Sequence, residues 1–215
     1  MSELHQKYAA TINTFNQSAD AYLAHFKDTK LYRKSYENFL ATLTAEHKSI
    51  LDLACGPGHV SHYLLSHRSD LDLLGVDLAP AMIKLAKELN PNATFKVSSA
   101  HEVLTENHGF DAIVCGFLLP YLQWSDAQKL ILKIPKKLNK AGILYLSYTT
   151  GIGQNDEVQK SERSTGQVYS YYHQIPQVEE VLLANKMLKI NQELITHQHN
   201  GQTHTDVVSI YKKGR

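Results

Sequence analysis

The chain holds 215 residues with 22 Lys+Arg against 21 Asp+Glu, a net charge of +1 with His neutral. So even a balance argues against affinity drawn from a broad basic face, and nucleic acid is not an expected partner. At 43% hydrophobic and 20% charged residues the composition suits a single globular domain and is too apolar for a disordered one.

No apolar run of about 18 residues is present, so no spanning helix and no membrane partner are expected. The start, Met-Ser-Glu-Leu-His-Gln-Lys, lacks the apolar core of a secretory signal, which predicts a cytoplasmic protein. Cys55 and Cys115 are the two cysteines and neither sits in a CxxC pair. A disulfide framework and a structural zinc site are therefore not expected.

In chain order, residues 3–26 carry Leu4, Tyr8, Ile12, Phe15, Ala19, Tyr22 and Phe26 at helical spacing. Residues 30–44 repeat the pattern with Leu31, Tyr36, Phe39, Leu40 and Leu43. Two amphipathic helices are predicted ahead of the first strand. From Ser49 the pattern changes to apolar strands alternating with helices. Strands are predicted over 49–54, 71–77, 94–97, 110–115 and 143–148, with helices after most of them. Near-continuous apolar strands with short connections point to a parallel sheet covered on both faces.

Residues 149–172 break that rhythm: they are polar, contain Gly151, Gly153 and Gly166, and read as one long loop. A short helix is predicted over 177–185. Two strands, 188–196 and 203–212, flank Asn200-Gly201, a hairpin signal, so the last two strands must be antiparallel.

The segment Asp52-Leu-Ala54-Cys55-Gly56-Pro-Gly58 is the strongest chemical signal. A strand ends, and a Gly-x-Gly turn opens a helix. Glycine admits a ligand close to the backbone, and the helix N-terminus offers unpaired N–H groups. Such a turn suits a carboxylate, a pyrophosphate or a ribose; it can also be a tight turn with no ligand. Asp77 ends the next strand, 25 positions after Asp52. A carboxylate there can accept both hydroxyls of a ribose, or can cap the helix that begins near Pro80.

These segments together resemble the class I S-adenosylmethionine-dependent methyltransferases, closely over about residues 50–148. The resemblance implies S-adenosylmethionine as methyl donor, S-adenosylhomocysteine as product, and a doubly wound, mostly parallel seven-stranded Rossmann-like α/β sheet with an antiparallel C-terminal hairpin. It implies a turn made by Asp52, Ala54, Gly56 and Gly58, with Ala54 in place of the commonest first glycine. It implies Asp77 on the ribose and Leu78 and Met82 against adenine. The third family motif usually offers an Asp. Here Ser98-Ser99-Ala100-His101 stands in that place, so Ser99, Ala100 and His101 are the substitutes. The Cys115 carbonyl is implied at the methionine ammonium group. Phe15 to Tyr22 resembles the lid segment of small-molecule members, with Tyr22 near the methionine moiety. The chain accordingly divides into a lid, 1–45, and a cofactor-binding domain, 46–215.

A dinucleotide-binding dehydrogenase is the structural competitor, but its fingerprint wants a third Gly where Ser61 stands. The strand-four end, Cys115-Gly116-Phe117-Leu118, departs from the Asn/Asp-Pro-Pro-aromatic motif of enzymes that methylate base amines. A small-molecule acceptor is expected, with an RNA or protein acceptor, or a non-catalytic scaffold, as alternatives. The acceptor site is expected among Tyr121, Trp124, Tyr148, Tyr169, Tyr171, Tyr172 and His173, with His173 and Tyr148 as the catalytic candidates. The protein is expected to be a monomer or homodimer.

Overall fold

The structure, a computed structural model, describes residues 2–26, 30–151, 157–160, 166–199 and 202–214. Seven strands form one sheet: β1 Ser49–Leu53, β2 Asp72–Asp77, β3 Thr94–Val97, β4 Phe110–Gly116, β5 Leu138–Thr150, β8 Met187–His199 and β9 Gln202–Lys213. Their order is β3-β2-β1-β4-β5-β9-β8. The first five are parallel, and β9 pairs antiparallel with both β5 and β8. This is the expected doubly wound sheet with its antiparallel terminal hairpin. The ladder of that hairpin runs out to His199 opposite Gln202, while the Asn200-Gly201 turn and Gly153 lie outside the described residues.

β1 sits at the centre because nearly all of it is apolar. Ile50, Leu51 and Leu53 are fully buried, and alternate side chains enter opposite faces. Leu51 and Leu53 join Ile113, Leu144 and Leu146 beneath α7 (Trp124–Lys137) and α8 (Ile175–Ala184). Ile50 joins Ala112, Val114 and Tyr145 on the other face. There α3 (Arg33–Thr42), α4 (His59–His67) and α5 (Pro80–Leu89) cover the sheet with Tyr36, Phe39, Leu64 and Ile83. Pro80 opens α5, where its missing N–H costs nothing, and Met82, Ile83 and Ala86 repeat at helical spacing along the buried side.

The N-terminal region differs from the two expected helices. The first stretch is split into α1 (Glu3–Gln17) and α2 (Ala19–Phe26). Ser18 makes the break: its hydroxyl and its N–H both bond the Thr14 carbonyl, at 2.8 and 3.0 Å. A serine that satisfies itself on the preceding turn competes with helix continuation.

The polar 149–172 run is not one loop. β5 extends to Thr150, and Glu157–Lys160 (β6) pairs antiparallel with Gln167–Ser170 (β7). β7 is held against α1 by two buried threonines. Thr14 Oγ1 donates to the Gln167 carbonyl at 2.9 Å, and Thr11 Oγ1 accepts from the Tyr169 amide at 3.1 Å. Gly166 permits the approach, since a Cβ there would fall 2.1 Å from Thr14 Oγ1. Two short helices were also not foreseen: α6 (Ala100–Val103) and a 3₁₀ turn, Leu119–Tyr121. Among the described residues no helix is long and apolar enough to cross a membrane.

Candidate active site

Helices change from one face of the sheet to the other between β1 and β4, and a cavity lies at the C-terminal ends of these strands. Open α/β sheets bind ligands at such a crossing point. The bend after β1 supplies Ala54 and Gly56, and the end of β2 supplies Val76, Asp77 and Leu78. Met82 of α5 and Ser98 and Ala100 behind β3 close one side. Gly116, Phe117 and Leu118 after β4 close the other, with Tyr121 beyond them.

The bend is tight. Ala54, Gly56 and Gly58 all have left-handed backbone, at φ +52°, +53° and +80°. The two glycines serve different ends. A Cβ on Gly56 would meet nothing within 4 Å, because that position opens on the cavity. One on Gly58 would lie 2.7 Å from Asn90 Nδ2 and 3.1 Å from Ala86 Cβ, where α5 packs against the bend. Phe117, across the cavity, is also left-handed at φ +53°, its amide anchored on the Ser147 carbonyl and hydroxyl at 3.0 and 3.1 Å. Strained non-glycine residues thus stand at the ends of both β1 and β4, the pattern of a site over-determined by its surroundings.

Asp77 crosses from β2 to the bend. Its Oδ2 accepts the Gly56 amide at 2.9 Å and its Oδ1 the Ala79 amide at 2.8 Å. Burial raises its carboxyl above the ordinary value, against the lowering effect of these amides. Asp52 lies beneath the bend, 2% exposed, holding the Ser61 hydroxyl at 2.7 Å. Burial pushes it up to about 7.

The fourth wall comes from the N-terminal helices. Thr11, Phe15 and Tyr22 line the cavity. The Phe15 ring meets Tyr22 and Tyr121 edge-on at 5.9 and 4.9 Å. Asn16 Oδ1 accepts the Ala81 amide at 2.8 Å, tying α1 to the first turn of α5.

The family model of a methyltransferase domain matches residues 50–142. These are the residues that build the bend, Asp77 and the β4 end. Over residues 50–142 the chain is similar to methyltransferase domains.

Relatives of the chain include a carboxy-S-adenosyl-L-methionine synthase of Campylobacter jejuni, 29% identical over 126 residues, 56% of this chain and 54% of that one. A demethylmenaquinone methyltransferase of Thermotoga maritima is 27% identical over 145 residues, 67% of this chain and 58% of that one. The chain thus spans little more than half the length of either relative. Among solved structures, the 1,6-didemethyltoxoflavin-N1-methyltransferase of Burkholderia thailandensis has the same fold. Its TM-score is 0.73 at 18% identity, over 100% of this chain and 92% of that one.

The structure brings seven of the residues expected at the cofactor to one cavity: Tyr22, Ala54, Gly56, Asp77, Leu78, Met82 and Ala100. Five others do not line it. Asp52 is covered by the bend and Gly58 by α5. The Ser99 side chain is engaged in a capping box, accepting the Glu102 amide at 3.1 Å while Glu102 accepts the Ser99 amide at 3.0 Å. Its neighbour Ser98 borders the cavity, and its hydroxyl donates to Glu102 Oε2 at 3.1 Å. His101 turns towards Lys133 of α7, 3.5 Å away. The Cys115 side chain is buried in the core, where burial pushes its thiol up to about 12.

Neither catalytic candidate lines the cavity. Tyr148 is 1% exposed, on the α7–α8 face of the sheet, and burial raises its hydroxyl well above the ordinary value. His173 is buried; its Nε2 donates to the Leu119 carbonyl at 2.8 Å and its ring lies against Trp124. Burial lowers its affinity for a proton. Sequence reasoning passed over Thr11, Val76, Ser98 and the wall Gly116–Leu118. Strand alternation carried one usable signal: Ser147 and Thr149 share a face, which turns Tyr148 to the other.

Proposed function

We propose that this protein transfers a methyl group from S-adenosylmethionine to an oxygen or nitrogen of a small molecule. The observation that carries the reading is the Asp77–Gly56 pair at the crossing point of the sheet, a carboxylate beside a backbone stretch that no Cβ obstructs.

The residues present fit this donor. Each Asp77 oxygen accepts one amide and retains a lone pair for a vicinal hydroxyl. Gly56 lets the amino-acid portion lie against the bend. Leu78, Met82 and Ala100 offer apolar contact to a planar base, and Ser98 a polar one at its edge. When bound, S-adenosylmethionine supplies an already electrophilic methyl carbon on sulfur. The chain therefore has mainly to hold the partners in line and keep water out. Tyr22, Phe15 and Tyr121 are the residues placed to exclude water, and in this reading residues 1–45 act as a lid over the domain 46–215.

A small-molecule acceptor is supported by the company the chain keeps: relatives and structural neighbours named for menaquinone precursors and a toxoflavin precursor. The test is calorimetric titration of S-adenosylhomocysteine into the wild type and Gly56→Arg. The arginine is expected to abolish binding. Equal affinities would remove the bend from the account. A scaffold that binds without turnover is separated by incubating the protein with radiolabelled S-adenosylmethionine and a metabolite extract. Label in a small molecule excludes it.

A further inference from the structure

The cavity divides by chemistry into two halves. In the methyl-transfer reading the donor takes the bend, Asp77, Leu78, Met82, Ser98 and Ala100. The walls that remain are Thr11, Phe15, Tyr22, Phe117, Leu118 and Tyr121, four of them aromatic.

These rings are fixed by contacts outside the cavity as well as within it. Phe15 of α1 meets Tyr22 of α2 and Tyr121 of the 3₁₀ turn edge-on, with centroids 5.9 and 4.9 Å apart. Phe117 meets Tyr32 in the same manner at 5.1 Å, and Ser147 holds its amide. Tyr32, immediately before α3, is itself anchored in a polar cluster. Its hydroxyl donates at 2.6 Å to Asp206 of β9, a carboxylate 2% exposed. Asp206 also accepts Thr149 Oγ1 at 2.8 Å and lies 2.8 Å from His197 Nε2. The helices thus contribute two rings and the segment after β4 two more. Such walls are flat and stiff, with little conformational freedom left to adapt to a ligand.

The polar inventory of this half is short. Thr11 Oγ1 is used twice already, donating to the Lys7 carbonyl at 3.0 Å and accepting the Tyr169 amide at 3.1 Å. Among the described residues the lining holds one carboxylate, Asp77, and no histidine, lysine, arginine or glutamate. Asp77 is engaged with the Gly56 and Ala79 amides on the donor side. An anionic acceptor would therefore find no cation here. A cationic one would meet the positive sulfur of the donor, and like charges in a water-poor cavity repel strongly. What docks is neutral. A neutral hydroxyl needs a base to become a good nucleophile, whereas a neutral nitrogen brings its lone pair ready.

We propose that the acceptor is a neutral, flat, conjugated ring molecule methylated on nitrogen, seated among Phe15, Tyr22, Phe117 and Tyr121. This rests on the methyl-transfer reading above and names its substrate class. Aromatic walls favour offset or edge-on contact with another π-system, and they ask for no polar partner. The nitrogen lone pair forms its bond to the methyl carbon as the carbon–sulfur bond breaks, the pair passing to sulfur. The positive charge moves from sulfur to nitrogen, and a nitrogen that carries hydrogen then releases a proton to water.

The test begins with the product. The protein is incubated with ¹³C-methyl S-adenosylmethionine and a metabolite extract, and the labelled product is isolated. Its carbon chemical shift separates N-, O- and C-methyl groups, and its ultraviolet absorbance reports a conjugated ring. An N-methyl group on an absorbing compound is expected. An O- or C-methyl product, or an N-methyl product without a conjugated ring, overturns the proposal and leaves methyl transfer standing. No labelled product overturns both readings. The unmethylated acceptor is then titrated calorimetrically into protein loaded with S-adenosylhomocysteine. Tyr121→Leu and Phe15→Leu, one from each side, are each expected to weaken its binding about tenfold or more, with S-adenosylhomocysteine affinity within about twofold of the wild type. Tyr121→Phe is expected to restore most of the loss. Unchanged acceptor binding in both leucine variants overturns the proposal, and so does loss of S-adenosylhomocysteine binding in both, which would assign the rings to the donor.

Discussion

The Gly56 amide donates to Asp77 Oδ2 at 2.9 Å, so the residue that ends β2 holds the bend that follows β1. The same carboxylate holds the Ala79 amide at the entry to α5. One side chain therefore sets the shape of two walls of the cavity while still facing into it. Replacing Asp77 by Asn keeps the size, but puts an N–H₂ group against one of the two amides. Hydrogen bonds to charged groups contribute about 1.5–3 kcal/mol each, so S-adenosylhomocysteine affinity should fall about 10- to 100-fold in Asp77→Asn. Calorimetry checks it; unchanged affinity would take Asp77 out of the site.

The two glycines of the bend should separate stability from binding. Gly58→Ala places a Cβ 2.7 Å from Asn90 Nδ2 at a left-handed backbone. A cost of about 2 kcal/mol is expected, which lowers Tm by about 4–8 °C in a chain of this size. Gly56→Ala meets only the cost of its positive φ, about 1 kcal/mol, because its Cβ finds open space. That space is the cavity, so this variant should melt near the wild type yet bind S-adenosylhomocysteine at least tenfold more weakly. Paired melting curves and titrations distinguish the two roles.

Asp52 should make the protein lose stability as pH rises. Its carboxyl is near 7 when folded, raised by burial, against about 3.9 in an unfolded chain. Between those values the folded state holds a proton that the unfolded state has lost. The contribution is full below about pH 4 and gone above about pH 7, with an upper bound of about 4 kcal/mol. Asp52→Asn should remove this slope, so that its stability relative to the wild type rises between pH 4 and pH 7.5. Urea denaturation of both proteins across that range measures it, and parallel curves would contradict the assignment.

Ser98 and Ser99 should behave oppositely despite being neighbours. Ser99→Ala loses the cap of α6, at a cost of about 1 kcal/mol, with no change in S-adenosylhomocysteine affinity. Ser98→Ala should lower affinity by a few-fold, since Ser98 borders the cavity and its hydroxyl, while donating to Glu102, can still accept from a ligand. Thermal melts and calorimetry on both variants check the pair. An affinity loss confined to Ser99→Ala would restore the position read from sequence.

The bend and Asp77 were legible because glycine and a strand-end carboxylate carry their constraint locally. The serine pair was not, because both hydroxyls bond Glu102 and only the start of α6 decides which serine borders the cavity. That Tyr148 and His173 do not line the cavity was hidden for a related reason: an aromatic or histidine after a strand names no face, and partners such as the Leu119 carbonyl are far along the chain. Ser18 offered its signal in residue type, yet whether it would turn back on Thr14 or continue the helix depended on the packing of α2 over α5.

From sequence alone came the alternation of strands and helices, the antiparallel end, and the chemistry of the turn, all properties of neighbouring residues and their periodicity. Tertiary structure decided which of these side chains share a space. The Asp206 cluster is the plainest case. Tyr32, Thr149 and His197 lie in three separate elements with no common motif, and only the register of β5, β9 and β8 beneath α3 brings their donors to one carboxylate. Hydrogen bonds act over about 3 Å of space whatever the separation along the chain, so such a group exists only once the sheet has closed.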